Sequence, residues 1–208
     1  MGFFVKRPYV LAVIYFVITI VIGLFVVFLP LNRVECNVDF NLYSFTQRTV
    51  GLQVFQVLTY LGDFYFWVAL TSAYLFYAYF KSRTKWSSAI ELAIFLVITT
   101  GLTAFLQLIF MRPRPNCLGM NAEYVNFFPS FSYPSGHVSR ATGGFLILLR
   151  GTKTKKSLAV IAIAIVSSSR IILGAHYLTD VIGAIFLSLA AQKLANRGLP
   201  FIFHKSDL

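Results

Sequence analysis

From Pro8 to Leu29 the chain does not meet a charged side chain, and five more largely apolar runs follow it. In hydrocarbon every backbone N–H and C=O must be satisfied internally, so such runs fold as membrane-spanning helices. The later runs are Phe64 to Phe80, Ser87 to Met111, Ser135 to Leu149, Ser157 to Leu173 and Ala175 to Ala195. Leu52 to Leu61 either extends the second run or lies at the interface, with Gly62-Asp63 as the break. Only 12% of the 208 residues are charged, against roughly 25% in soluble domains, and the mean hydropathy is +0.75. At roughly 20 residues per span, a chain of this length holds about six helices and little else. The expected fold is all-α: a polytopic membrane protein, one six-transmembrane-helix bundle over residues 1–208. A cleaved signal peptide is the competing reading of the first run, but the run is long for an h-region and no small-residue site closes it.

The formal charge of +11 first raises nucleic acid as a partner. Its distribution argues otherwise. With an even number of spans both termini share a side, and that side collects twelve of the 18 Lys and Arg residues, from Lys6 to Lys205. The other side has Arg33, Arg48, Arg112, Arg114 and Arg170, and Arg140 lies within the fourth run. By the positive-inside rule the termini are cytoplasmic, and the positive charge orients the chain and attracts anionic lipid. Nucleic acid is not an expected partner; membrane lipids are.

Polar groups in or beside membrane helices are costly, which makes them functional candidates. Here they gather on the predicted outer side. Gln107, Arg112 and Arg114 close the third run, Pro134-Ser135-Gly136-His137 opens the fourth, and Ser169-Arg170 with His176 and Asp180 joins the fifth to the sixth. Arginine forks match the oxygens of a tetrahedral phosphate. A helix opening at Ser135-Gly136 adds backbone N–H groups and the positive dipole end, and Gly136 permits close approach. His176 and Asp180, at i and i+4, share a helix face, so the carboxylate can hold the imidazole tautomer and leave one ring nitrogen free to attack. His137 remains as a proton donor to the leaving oxygen. His176, His137 and Asp180 also make three possible zinc ligands, but the adjacent arginines would repel the cation; no metal and no cofactor is expected. Asp63 and Arg140 read as a polar pair, with each other or with Glu123, rather than as chemistry. Cys36 and Cys117 both fall on the predicted outer side, where one disulfide could persist.

This arrangement resembles the type 2 phosphatidic acid phosphatase superfamily of integral membrane lipid phosphatases. The family pattern is Lys-x6-Arg-Pro, then Pro-Ser-Gly-His, then Ser-Arg-x5-His-x3-Asp. The second and third motifs stand complete as Pro134 to His137 and Ser169 to Asp180, and the first as Arg114-Pro115 with Gln107 at the lysine position. The resemblance implies metal-independent phosphohydrolysis through a phosphohistidine. In that scheme His176 is the nucleophile, Asp180 orients it and His137 is the acid, while Arg114, Arg170, Ser135 and Gly136 bind phosphate. Losing the lysine contact would cost about 1.5–3 kcal/mol if nothing replaced it; the Gln107 amide still donates, and Arg112 brings charge. The leading substrate is a polyprenyl diphosphate, the carrier lipid recycled to its monophosphate. A phosphatidate or phosphatidylglycerophosphate phosphatase is the runner-up, a lipid phosphotransferase third, and a non-catalytic lipid transporter or scaffold the reading from another class.

Overall fold

Residues that cannot continue a helix set the boundaries. The computed structural model describes residues 3–29, 35–37, 41, 44–46, 51–115 and 131–202. Seven helices of eight residues or more lie within them: α1 (Phe3–Phe28), α2 (Leu52–Thr59), α3 (Phe64–Lys81), α4 (Trp86–Phe110), α5 (Gly136–Leu148), α6 (Lys153–Ile172) and α7 (Leu178–Ile202). No strand occurs among the described residues. Residues Arg33, Arg48, Cys117, Glu123, His204 and Lys205 lie outside them. Cys36 is disulfide-bonded.

Each apolar run becomes a helix close to its sequence limits, except that α7 continues past Ala195 to Ile202. α2 and α3 meet at 46°, and the Asp63 side chain caps α3 by accepting the N–H groups of Tyr65 at 2.8 Å and Phe66 at 3.3 Å. That is the ordinary N-cap use of aspartate. α4 stops at Met111, whose left-handed φ of 43° precedes the Arg-Pro-Arg-Pro stretch. Thr152 caps α6 through the Lys155 N–H at 3.4 Å.

The expectation of six spans is met only in part. Among the described residues, three helices are long and apolar enough to cross a membrane, or four when α2 and α3 count as one broken span. α5 has only 13 residues, about 20 Å of rise against a hydrocarbon core of about 30 Å. α6 carries Lys153, Lys155, Lys156 and Arg170, which lowers its claim to a full span.

Short as it is, α5 is the centre of the bundle, packed against α3, α4, α6 and α7, while α1 lies along α7. Glycine makes this possible. A Cβ at Gly143 would overlap the Phe95 ring, and one at Gly144 the Trp67 ring. Those rings therefore press onto the α5 backbone and close a core with Leu92, Leu96, Ile147, Ala191 and Ala195. Trp67 keeps its indole N–H satisfied by the Leu61 carbonyl at 2.9 Å. At the end of the bundle where α4 begins, buried Glu91 accepts both arms of Arg150 at 2.6 and 2.9 Å, and the Asn196 amide at 3.3 Å. The bidentate pair ties α4 to the α5–α6 turn, and the Asn196 amide ties it to α7.

Candidate active site

The opposite end of the bundle collects the polar motifs. α6 ends at Ile172, and Gly174, with φ +64°, turns the chain back. The N–H groups of Ala175 and His176 then both donate to the Arg170 carbonyl, at 3.0 and 3.2 Å. Arg170 and His176 are thus held in one tight turn. Asp180 sits in the first turn of α7 and its Oδ2 reaches back to the Tyr177 N–H at 2.9 Å, half of a capping box. The spacing of the Ser-Arg-x5-His-x3-Asp motif is therefore the length of one helix end, one turn and one helix start.

His176 is 2% exposed, and its Nδ1 lies 2.8 Å from the Ser132 carbonyl oxygen. A carbonyl accepts only, so Nδ1 carries the hydrogen and Nε2 keeps its lone pair. Asp180 Oδ2 stands 3.6 Å from the same Nδ1 and accepts the Ser132 hydroxyl. The sequence reading has Asp180 as the tautomer holder. In the structure the Ser132 carbonyl makes that contact and the carboxylate supports it with charge.

Arg112 is where structure and sequence diverge most. The sequence groups it with the phosphate clamp. Its guanidinium, 2% exposed, instead donates to Asp180 Oδ1 at 2.5 Å, Thr179 Oγ1 at 2.7 Å and Glu35 Oε2 at 2.6 Å. It also stacks on the Tyr177 ring at 4.0 Å. Glu35 in turn accepts the N–H and hydroxyl of Thr179 at 2.9 and 2.8 Å. An Asp-Arg-Glu chain thus joins two buried charges and the partly exposed Glu35 in one hydrogen-bonded network. Ser132 and Glu35 were not visible as site residues. Ser132 stands two positions before a recognisable motif, whereas Glu35 lies 144 residues from Thr179 with no pattern linking them.

The remaining expected residues converge. Arg114 NH1 donates to the Ala175 carbonyl at 3.2 Å, beside His176, and Arg170 NH1 to Thr59 Oγ1 at 2.9 Å. The Ser135 N–H donates to the Asp180 carbonyl at 3.3 Å, which docks the start of α5 on the start of α7. The Ser135 hydroxyl is fully buried and has no hydrogen-bond partner among the described residues. Gly136 and His137 open α5 next to it. Gln107, at the lysine position, donates Nε2 to the Pro134 carbonyl at 3.0 Å and so braces the loop that enters α5. Asp63 and Arg140 are not hydrogen-bonded to each other: Asp63 caps α3, and Arg140 Nε donates to the Gly62 carbonyl at 3.2 Å, while Glu123, the other expected partner, lies outside the described residues.

Such a site can receive a tetrahedral anion between arginines and a helix N-terminus, facing an imidazole with a free Nε2. The sequence profile of the PAP2 superfamily matches residues 88–201, more than half of the chain and all the motifs above. The chain belongs to the PAP2 superfamily. Among PAP2 relatives, an undecaprenyl-diphosphatase from Sulfolobus acidocaldarius is 28% identical over 177 residues, which is 81% of this chain and 82% of the relative. The fold is that of a transmembrane PAP2-type phosphatidylglycerolphosphate phosphatase from Bacillus subtilis, with a TM-score of 0.70 at 24% identity over 93% of this chain and 98% of that one. Aquifex aeolicus LpxE matches with a TM-score of 0.61 at 22% identity, over 77% of this chain and 93% of its own. As a PAP2 protein the chain is a membrane lipid phosphatase.

Proposed function

We propose that this phosphatase hydrolyses a polyprenyl diphosphate to its monophosphate through a phosphohistidine on His176. The observation that carries the mechanism is the Ser132 carbonyl at 2.8 Å from His176 Nδ1, which directs the Nε2 lone pair into the site. Nε2 attacks the terminal phosphorus and the bond to the bridging oxygen breaks. Arg114, Arg170, the Ser135 hydroxyl and the N–H groups that open α5 hold the three equatorial oxygens where charge builds up. His137 gives a proton to the departing oxygen when that oxygen needs one. Water, relieved of a proton by His137, then cleaves the phosphoenzyme to orthophosphate. Asp180, held by Arg112, offsets the positive charge that the His176 ring gains. No step needs a metal: the charge that would hold one at Asp180 is already taken by Arg112 at 2.5 Å.

The name of the Sulfolobus acidocaldarius relative supports the diphosphate reading. In the same reading residues 1–208 form one phosphatase domain with cytoplasmic termini and an outer site, as the twelve-to-five split of cations favours. A lipid would enter sideways between helices and keep its tail in the bilayer.

Phosphate release from purified protein tests the proposal, with a prenyl diphosphate, a phosphatidate and a phosphatidylglycerophosphate offered in parallel. The expected order of kcat/KM puts the prenyl diphosphate first, with activity retained in excess EDTA and inhibited by vanadate. Preference for either glycerolipid would transfer the substrate assignment to that lipid. Loss on chelation, restored by a divalent ion, would sink the metal-free mechanism.

A further inference from the structure

Resting on the diphosphate reading, we propose that Arg140 forms a second anion subsite, which takes the inner phosphoryl group of the substrate, the one bonded to the lipid. The family motifs do not include this residue, and the sequence alone reads it as half of a polar pair. Its surroundings say otherwise. Arg140 lies one turn into α5 and is 9% exposed. Among the described residues only its Nε is hydrogen-bonded, to Gly62, and guanidinium has five N–H donors. Its two terminal NH2 groups have no hydrogen-bond partner among the described residues, and a bound anion between them would supply one.

The position of those NH2 groups points at the phosphate site. Helical side chains lean toward the helix N-terminus, and a Cβ on Gly136 would stand 3.2 Å from Arg140 NH1 and 3.6 Å from NH2. The guanidinium therefore lies along the flank of Gly136, at the helix start that holds the outer phosphoryl. Gly62 braces both sides of this junction. Its carbonyl fixes Arg140, and a Cβ there would come within 2.9 Å of His137 Cβ and of the His137 carbonyl. Ser135, whose buried hydroxyl has no partner among the described residues, stands at the same helix start. The placement suits a lipid diphosphate: outer phosphoryl at Ser135 and the α5 N-terminus, inner phosphoryl at the Arg140 guanidinium on the flank of Gly136, then the tail. Phe64, whose ring centroid is 5.8 Å from the Arg140 guanidinium carbon, provides an apolar wall where the tail would begin.

The test compares wild-type protein and Arg140→Gln on a prenyl diphosphate and on the monophosphate of the same prenol. The ratio of the two kcat/KM values should fall about 10- to 100-fold in Arg140→Gln, the scale of one charge-assisted hydrogen bond. An unchanged ratio would overturn the subsite. A second arm uses the wild-type protein alone and so does not depend on the variant folding. Methylenediphosphonate should inhibit monophosphate hydrolysis at a concentration at least about 10-fold lower than orthophosphate does; equal inhibition would overturn the proposal. Wild-type protein that ignores prenyl diphosphate yet prefers the diphosphonate would remove the substrate reading and leave the subsite standing.

Discussion

His137→Ala should lose roughly 10²–10⁴-fold in kcat/KM on a lipid monophosphate, the scale of general acid catalysis, and far less on a prenyl diphosphate. The difference comes from the leaving group. When His176 attacks a monophosphate the departing group is an alkoxide, which must be protonated in the transition state. When it attacks a diphosphate the departing group is a phosphate monoester with a second pKa near 6, by analogy with protein phosphoesters. It can leave largely unprotonated. The second half of the cycle, which both lipids share, also uses His137 to activate water, so kcat should fall for both, while kcat/KM, which ends at departure of the leaving group, separates them. Phosphate release from both lipids, with both proteins, measures this. Equal losses in kcat/KM would mean that His137 binds phosphate or organises the site instead of donating a proton.

Arg112→Ala should cost about 3–5 kcal/mol of stability, because removing one member of a buried ion pair strands the other. The stranded group is Asp180, which is fully buried, and Glu35 would lose the same partner. Against a typical domain stability of roughly 5–15 kcal/mol, that loss is large. Thermal unfolding in detergent should show a clear fall in Tm, and the surviving protein should have a reduced kcat because Asp180 is no longer held beside His176. Arg112→Lys keeps the charge but not the planar fork that serves two carboxylates at once, so it should fall between. Wild-type Tm in Arg112→Ala with a raised KM alone would return Arg112 to the phosphate clamp, where the sequence places it.

The motifs were legible because their geometry is local. His176, the sixth position after Arg170, is a helix end and a glycine turn away, and Asp180 follows His176 by the reach of one helix start. Ser135-Gly136 announces a helix N-terminus by composition alone. Helix limits were legible for the same reason, since charge, proline and glycine interrupt apolar runs where the backbone must leave its hydrogen-bonded path.

What escaped was long-range. Arg112 stands within a cluster of cations that suggests anion binding, and only the fold brings Glu35 and Asp180 to it, 77 and 68 residues away in sequence. Asp63 looked like a partner for Arg140 because both are charges at the same end of apolar runs. Local physics won instead, since an aspartate one residue before a helix can satisfy two N–H groups that are otherwise orphaned. Gln107 posed the opposite problem. Its place in the motif suggested a weakened phosphate contact, whereas its amide supports Pro134 and through it the approach to α5.

Rapid-quench labelling tests the central claim, that the phosphoryl group passes through His176 Nε2, most directly. Protein mixed with a prenyl diphosphate carrying radioactive terminal phosphorus should acquire label within the first turnover. The label should survive alkali, be lost in acid as phosphoramidates are, and map to the peptide holding His176. His137→Ala should accumulate more of it, because its hydrolysis is slowed more than its formation, and His176→Ala should acquire none. A protein that releases orthophosphate at full rate with no labelled intermediate, or a His176→Ala variant that still turns over, would contradict the account.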